Sequence, residues 1–373
     1  MDLRHALIEL AKLPPATTPV VSVYLNTHWA DEQQRERVRI FLKNELTEAR
    51  RADEGSRAAA GDLDWVEQEG ARLGNREIAE GAHGAALFAC EAIGLRQLVT
   101  SRVPFPNLFV VDTSPRLRPL AEVRDVAPPA LLAFVDTESA RLLTLTGAGL
   151  SEEIDVTSNV PGHHKQGGSL ADRLQRHFHE ERARHYERVA QHVIAAVDER
   201  GVRNIVLAGD ARNTTLFRGD LPERVSRYVI GAVPGAHYEP IDAIAGRAAE
   251  LLTRVDREGE VADVEATLVA AAKRGKAAAG LSATLAAVNQ DAIYRLYLLK
   301  GWSQPGRKCQ GCGMLGAGFT WSCPACGGEA RTVELGEAII QRVVSANGEI
   351  EPVAAHDGLA KAGGIAADLR HPL

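Results

Sequence analysis

Hydrophobic and polar positions follow two different periods along the first third of the chain. Positions 19–27 have the alternating, β-branched pattern of a strand, whereas positions 31–51 repeat apolar side chains every three or four residues, as a helix does. The same patterns predict a second helix at 64–76 and three short strands, at 85–90, 96–101 and 108–111. Residues 1–125 are therefore predicted to form an N-terminal α/β domain, followed by a linker at the Pro128-Pro129 pair.

Strand and helix patterns also alternate through the rest of the chain. After the linker the periods predict strands at 131–136, 140–146 and 204–208, a polar loop at about 157–168 and a long helix at 170–198. Beyond residue 263 they predict helices, an apolar run at 293–299, a helix at 337–346 and a short strand at 350–353. We expect a central domain at 128–258 and a C-terminal domain at 263–373, which gives three α/β domains in all.

Composition and charge exclude several classes of protein. The 373 residues are 45% hydrophobic and 25% charged, which is typical of a soluble globular protein. No apolar run is long enough for a membrane span, and the charged start does not resemble a signal peptide, so we expect a cytoplasmic protein with no membrane partner. The net charge of −6 gives no overall attraction to nucleic acid, and any basic surface must be local.

Four of the five cysteines lie in one short segment. Cys309 and Cys312 form one Cys-x-x-Cys pair, Cys323 and Cys326 form a second, and a glycine follows each pair. This spacing lets four thiolates surround one Zn²⁺ ion, and a closed tetrahedral site of this kind is structural. The segment therefore predicts a zinc ribbon at 306–331, inserted in the C-terminal domain. Redox-active dithiols or unligated thiols are the alternative.

A loop rich in glycine and histidine precedes the long helix of the central domain. Gly167 and Gly168 permit a close approach of the backbone to another molecule, and basic residues flank them on both sides. The candidate RNA-binding residues are His163, His164, Lys165, Gln166, Arg173 and Arg176. An exposed loop leading into a solvated helix explains the same pattern without any function.

This loop and helix resemble the central domain of the archaeal and eukaryotic peptide-chain release factors. In that family a Gly-Gly-Gln tripeptide precedes Ser-Ala-Leu-Arg-Phe-Ala-Arg; here Gly167-Gly168-Ser169 precedes a segment in which Arg173 and Arg176 keep the family's register. The zinc ribbon and positions 22–27 resemble the bacterial branch of the superfamily, which includes relatives of Pelota and Balon. Gly280-Leu281 and residues 363–370 resemble the family's third domain.

The resemblance implies a three-domain factor that enters the ribosomal A site. Its C-terminal domain would have the fold of a kink-turn-binding ribosomal protein and would dock a translational GTPase such as EF-Tu. Gly167, Gly168 and Ser169 would then be the catalytic loop that positions a water molecule on the ester of peptidyl-tRNA. A monomer is expected, because the factor must enter the A site.

The third position of the tripeptide departs from the family pattern. Ser169 stands where the release factors have glutamine, and the stop-codon motif Asn-Ile-Lys-Ser is absent from residues 1–125. Two hypotheses follow: an A-site factor for termination, rescue or hibernation, or a peptidyl-tRNA hydrolase that uses the Gly167-Gly168-Ser169 loop. A third reading is an RNA-binding or nuclease-like protein that acts on tRNA away from the ribosome.

Overall fold

The computed structural model describes residues 3–14, 16–29, 31–55, 57–74, 82–123, 130–146, 149–157, 169–318 and 322–373. Side chains are described for these residues except 146, 149–153, 157 and 169–178. Within this part of the chain no helix is long and apolar enough to span a membrane. The helices and strands, in chain order, are α1 (Leu3–Ala11), β1 (Val20–Asn26), α2 (Glu32–Asp53), α3 (Ala60–Gly74), β2 (Gly84–Cys90), β3 (Leu95–Ser101), β4 (Leu108–Asp112), α4 (Arg118–Glu122), β5 (Ala130–Val135), β6 (Ser139–Thr146), β7 (Gly149–Thr157), α5 (Ser169–Asp198), β8 (Asn204–Ala208), α6 (Ala211–Asp220), α7 (Glu223–Ser226), β9 (Val229–Val233), α8 (Ile241–Ala272), β10 (Ala277–Ala279), α9 (Leu281–Asn289), β11 (Ile293–Leu299), β12 (Pro305–Cys309), β13 (Leu315–Gly316), β14 (Ala330–Glu334), α10 (Leu335–Ser345), β15 (Glu349–Val353), α11 (Asp357–Lys361) and β16 (Ile365–Leu369).

The chain forms two compact units. The first combines Met1–Asp125 with Glu260–Leu373, and the second is Val126–Gly259. The predicted α/β class is confirmed, because each unit contains β-sheets with helices packed against them. The three-domain architecture is not confirmed, since both ends of the chain fold into the first unit. The predicted boundaries 1–125, 128–258 and 263–373 stay predictions.

The N-terminal part of the first unit is an antiparallel sheet in the order β3-β2-β1-β4. Successive side chains of a strand point to opposite faces, and both faces of this sheet are covered. Val21, Val23 and Leu25 pack with the apolar side chains of α2 and α3. Tyr24 and Phe88 belong to the core on the other face, which includes α1. This double burial explains why β1 and β2 are apolar almost throughout.

The C-terminal part of the first unit has a second sheet, in the order β10-β16-β11-β15. Its strands and α10 share one hydrophobic core with α1 and with one face of the N-terminal sheet. A buried carboxylate also joins the two parts: Glu337 on α10 accepts hydrogen bonds from the backbone N–H groups of Leu117 and Arg118, at 2.5 and 3.2 Å. The Arg116 guanidinium lies 3.3 Å from the same side chain.

The second unit is a five-stranded sheet in the order β7-β6-β5-β8-β9, in which β5, β8 and β9 are parallel. The odd-numbered apolar residues of β5 pack against α5, where Tyr186, Val189 and Val193 are buried. The even-numbered ones, Leu132 and Phe134, pack against the first part of α8. The central strand is therefore buried on both faces, as the apolar run in its sequence indicates.

Most predicted elements are confirmed within one to four residues, but several elements are not predicted by the sequence patterns. These patterns do not indicate α1, α6, α7 or β9, and they begin the last long helix at 263 although α8 begins at Ile241. They also indicate no structure for the segment before the polar loop, which forms β7, or for 365–369, which forms β16 in the interior of a sheet. That strand is buried because β10 and β11 pair with it on either side, a partnership that local sequence does not reveal.

Candidate functional site

The four predicted ligand cysteines come together at one end of a small sheet. This sheet has the order β13-β12-β14, with Cys309 at the end of β12 and Cys312 in the turn that follows. Cys323 and Cys326 lie in a second turn, just before β14. The four sulfur atoms all lie within 4.8 Å of one another, and each could ligate the same ion.

The spacing of the sulfur atoms fits a tetrahedral zinc site. The Sγ atoms of Cys309 and Cys326 are 3.5 Å apart, and those of Cys312 and Cys323 are 3.7 Å apart. A regular tetrahedron with Zn–S bonds of about 2.3 Å has edges of about 3.8 Å. These separations exceed a disulfide bond of about 2.05 Å, and all four cysteines are free thiols. The cluster is therefore compatible with Zn²⁺, and four thiolates would fill its coordination sphere.

Glycines shape the backbone around the sulfur atoms. Gly313 and Gly327 both have a φ of +72°, in the left-handed region that favours glycine, which explains why a glycine follows each pair. Gly328 is needed for a different reason, because a Cβ atom there would lie 3.2 Å from the sulfur of Cys326. The sequence pattern thus encodes both the ligands and the turns that hold them.

A backbone hydrogen bond favours the ionised form of one thiol of the cluster, Cys309, whereas hydrogen bonds with the sulfur atoms of Cys326 and Cys309 raise the pKa of Cys312 to about 12. The N–H of Cys312 donates to the sulfur of Cys309 at 3.4 Å, and this contact contributes most to lowering the pKa of Cys309 to about 6. Since a metal binds the thiolate and not the thiol, a lowered pKa assists metal binding near neutral pH. The cluster could also act as a nucleophile, but in a filled Cys₄ site the sulfur electron pairs are used in ligation.

A side chain outside the ribbon helps to fix its position. Asn289, the last residue of α9, donates its amide N–H to the carbonyl of Leu315 and accepts from the N–H of Leu315, both at 2.9 Å. The side-chain amide thereby satisfies both backbone groups of Leu315, as a neighbouring strand beside β13 would do. The sequence patterns do not single out this residue, whose local signal is an amide side chain at the end of a mostly apolar helix.

The predicted RNA-binding and catalytic loop lies mostly outside the described residues. Positions 158–168, which contain His163, His164, Lys165, Gln166, Gly167 and Gly168, are not described. Helix α5 begins at Ser169, and its backbone carries Arg173 and Arg176, but their side chains are also outside the description. The roles assigned to these residues stay predictions.

Comparison with known proteins supports the resemblance found in the sequence. The model of a family described as bacterial archaeo-eukaryotic release factor family 10 matches residues 115–260, which include the glycine loop and all of α5. The predicted resemblance to the release-factor and Pelota superfamily is therefore confirmed over this segment. A search of curated proteins found no match to the chain.

Solved structures give similarities at low sequence identity. Pelota from Archaeoglobus fulgidus is 14% identical over 73% of this chain and 78% of its own, with a TM-score of 0.36. Dom34 from S. cerevisiae, described as a translation termination-like factor that interacts with Hbs1, is 12% identical over 75% of this chain and 74% of its own, with a TM-score of 0.42. An archaeal Pelota in a model of its ribosome-bound state with ABCE1 is 17% identical over 76% and 74% of the two chains, with a TM-score of 0.42.

Proposed function

We propose that this protein binds the ribosomal A site and acts as a rescue or hibernation factor that does not release the nascent peptide. The observation that supports the proposal is the family match over residues 115–260, a range of the sequence that includes Gly167 and Gly168. The ribosome is the proposed partner, and the RNA around the peptidyl transferase centre is the surface that the loop would contact.

The start of α5 supports contact with RNA. Gly167 and Gly168 directly precede the first residue of this 30-residue helix, Ser169. The first N–H groups of a helix have no acceptor within it, and the helix dipole places partial positive charge there. Phosphate groups bind at such helix ends, and Arg173 and Arg176 in the next turns would add charge.

The third position of the tripeptide favours binding over hydrolysis. In the release factors that this sequence resembles, the residue after the two glycines helps to orient the attacking water. Ser169 keeps a backbone N–H at this point, but its side chain is shorter than glutamine and cannot reach as far. Removing one oriented donor from a reaction centre lowers rates by about 10²–10³-fold. Binding through the glycines and arginines does not depend on that side chain.

A single ribosome experiment tests the proposal. The full-length protein is mixed with ribosomes that carry labelled peptidyl-tRNA and an empty A site, and both co-sedimentation and peptide release are measured. We expect stoichiometric binding without release. Absence of binding would overturn the proposal, and cleavage of free tRNA would favour the reading in which the protein acts away from the ribosome.

Matched variants locate the contact. Gly168→Ala should weaken binding or binding-dependent protection, whereas Gly219→Ala should not, because a Cβ atom at Gly219 meets no atom within 4 Å. Arg173→Ala should weaken binding and reduce its salt dependence, and the exposed Arg218→Ala in the same unit serves as its control. Equal binding by all four variants would remove the loop from the interface.

Hydrolysis is the second candidate function, favoured by the retained glycine pair and by the register of Arg173 and Arg176. Release by the wild-type protein, lost in Gly168→Ala with binding intact, would establish it. Under the binding proposal, Ser169→Gln should instead gain release. We also propose delivery by a translational GTPase, with EF-Tu as the candidate; adding it with GTP should accelerate A-site binding.

A further inference from the structure

A cavity of about 620 Å³ lies within the first unit, beside the cysteine cluster. Its walls come from the end of α1 and the residues after it, the segment 113–115, strand β12 and helix α10. Sites for small molecules in proteins have volumes of about 300–1,000 Å³, so this cavity could hold one. The wall of the cavity is apolar at Leu13, Ala16 and Ala338, and it is polar and basic where the ribbon and α10 line it.

Two cations stand opposite each other on the ribbon wall. Lys308 on β12 and Arg331 on β14 are direct partners in the antiparallel register, and both line the cavity. Side chains at paired positions lie on the same face, with Cβ atoms about 4.5–5.5 Å apart. Like charges in such a pair destabilise a sheet. Arg342 on α10 adds a third cation to the lining.

The local partners of these cations do not neutralise the paired charges. Lys308 donates to the amide oxygen of Gln341 at 3.4 Å, and Arg331 donates to the hydroxyl of Thr113. Among the described residues, no carboxylate lies within ion-pair distance of either cation, and no aspartate or glutamate lines the cavity. Arg342 differs from these two cations, because its guanidinium forms a bidentate ion pair with the carboxylate of Asp291, at 2.6 and 2.9 Å.

Strand alternation separates the side chains of the cation pair from that of Cys309. Lys308 and Cys309 are consecutive residues of β12, so their side chains leave the strand on opposite faces. Cys309 pairs with Ala330, and Lys308 pairs with Arg331, so the two cations share the face that Cys309 does not use. A cluster of four thiolates with Zn²⁺ would carry a charge of −2, and Cys309 and the turn after it also border the cavity, so zinc content is a necessary readout in the test of the cations.

We propose that this cavity binds a phosphate group, held by Lys308 and Arg331. A phosphate dianion would relieve the repulsion between the paired cations, and the guanidinium can bind it through two parallel N–H groups. The NH₂ group of the Gln341 amide is a further donor at the same wall. The apolar wall suits the remainder of a phosphorylated small molecule. This proposal does not depend on the ribosomal function.

Calorimetric titration of the zinc-loaded, full-length protein tests the proposal. The probes are inorganic phosphate, pyrophosphate and adenosine monophosphate, with sulfate and chloride for comparison. We expect saturable binding to one site, weakened by added salt. No binding by any phosphate probe would overturn the proposal.

Charge reversal separates binding from folding. Lys308→Glu replaces the repulsive pair by an attractive one with Arg331, so its melting temperature and zinc content should be at least those of the wild type. Its affinity for phosphate should fall about 30-fold or more, because a charge-assisted hydrogen bond is lost and a repulsive charge is added. Lys361→Glu, at an exposed cation of the same unit, should bind phosphate as the wild type does.

Two outcomes would overturn the assignment of these residues. Wild-type affinity in Lys308→Glu would place the phosphate elsewhere. Loss of zinc in Lys308→Glu, without phosphate binding by the wild type, would show that the cation balances the charge of the metal cluster. The source of the phosphate follows from competition: displacement by RNA oligonucleotides without terminal phosphate assigns the site to an RNA backbone, whereas displacement by the monoester alone assigns it to a small molecule.

Discussion

Burial of Glu337 makes the stability of the first unit depend on pH. The side chain is almost fully enclosed between α10 and the segment 116–118, and loss of solvation raises its pKa from 4.5 to about 7. The Arg116 guanidinium and the N–H groups of Leu117 and Arg118 oppose this rise but do not cancel it. The folded protein therefore keeps a proton that the unfolded chain has already lost between about pH 4.5 and pH 7.

The sign and size of the effect follow from this difference in pKa. A raised pKa in the folded state contributes stability that is complete below the unfolded pKa and is lost as pH rises through the folded pKa. A difference of about 2.5 units corresponds to about 3 kcal/mol at 1.36 kcal/mol per unit. About 2 kcal/mol of this stability is lost between pH 5.5 and pH 8.5. This range avoids strongly acidic pH, at which protons compete with the metal for the thiolates.

Glu337→Gln should flatten this dependence. The amide cannot ionise, but its NH₂ group cannot accept from the N–H of Arg118, and an unsatisfied buried donor costs about 1–3 kcal/mol. We therefore expect the variant to be less stable than the wild type at pH 5.5, and to gain on it by about 2 kcal/mol by pH 8.5. The exposed Glu48→Gln on α2 is the matched control.

Tryptophan fluorescence during urea unfolding is a selective assay, because the sequence has four tryptophans, at positions 29, 65, 302 and 321, and none of these positions falls within the second unit, Val126–Gly259. The free energy of unfolding is measured at several values of pH from 5.5 to 8.5 for the wild type and both variants. Parallel curves for the wild type and Glu337→Gln would refute the reasoning, since they would mean that Glu337 is ionised in the folded protein throughout this range.

Three further predictions concern the ribbon and the second unit. The protein should contain about one equivalent of zinc by elemental analysis, and Cys323→Ser should lower this content and destabilise the first unit without changing the melting of the second. Asn289→Ala should speed zinc loss to a chelator and destabilise the first unit by about 1–3 kcal/mol, because both backbone groups of Leu315 lose their partner; unchanged zinc release would show that α9 does not support the ribbon. Gly209→Ala should destabilise the second unit by about 1–3 kcal/mol, since a Cβ atom there would lie 2.5 Å from a carbonyl oxygen of β5, whereas Gly219→Ala should leave thermal unfolding by circular dichroism nearly unchanged.

The parts of the fold that local sequence determines were predictable. After its first residue, Asn204, strand β8 is an uninterrupted apolar run, and the Cys-x-x-Cys pairs with their glycines specify a metal site within one short segment. Helix α1 was also accessible, because Leu3, Leu7 and Leu10 follow the period of a helix. It was missed because the segment is short and ends close to two prolines.

Features that depend on pairing between distant segments were not predictable in the same way. Glu337 lies in a sequence that looks like an ordinary amphipathic helix, and its burial is caused by a segment 220 residues earlier in the chain. Lys308 and Arg331 become neighbours only through the register of β12 and β14, which a connection of twenty residues does not fix by itself. The burial of Glu337 and the pairing of Lys308 with Arg331 can be inferred only when the contacts between distant segments are known.

The cysteine cluster and Glu337 are joined by a continuous set of contacts within the first unit. Strand β14 pairs with β12 next to Cys309 and ends at Glu334, whose carboxylate accepts from the N–H groups of Gly336 and Glu337 at 2.8 and 2.7 Å. The metal site therefore helps to fix the strand that caps α10, and α10 carries the carboxylate that binds the N-terminal segment.

This connection predicts that the two sites are energetically coupled. The effects of Cys323→Ser and Glu337→Gln on unfolding of the first unit should differ from additivity by more than about 0.5 kcal/mol in the double variant. The coupling should reduce the damage done by the second change, because loss of the metal already weakens the capped start of α10. Additive effects would mean that the ribbon folds as a separate appendage, and that α10 keeps its position without it.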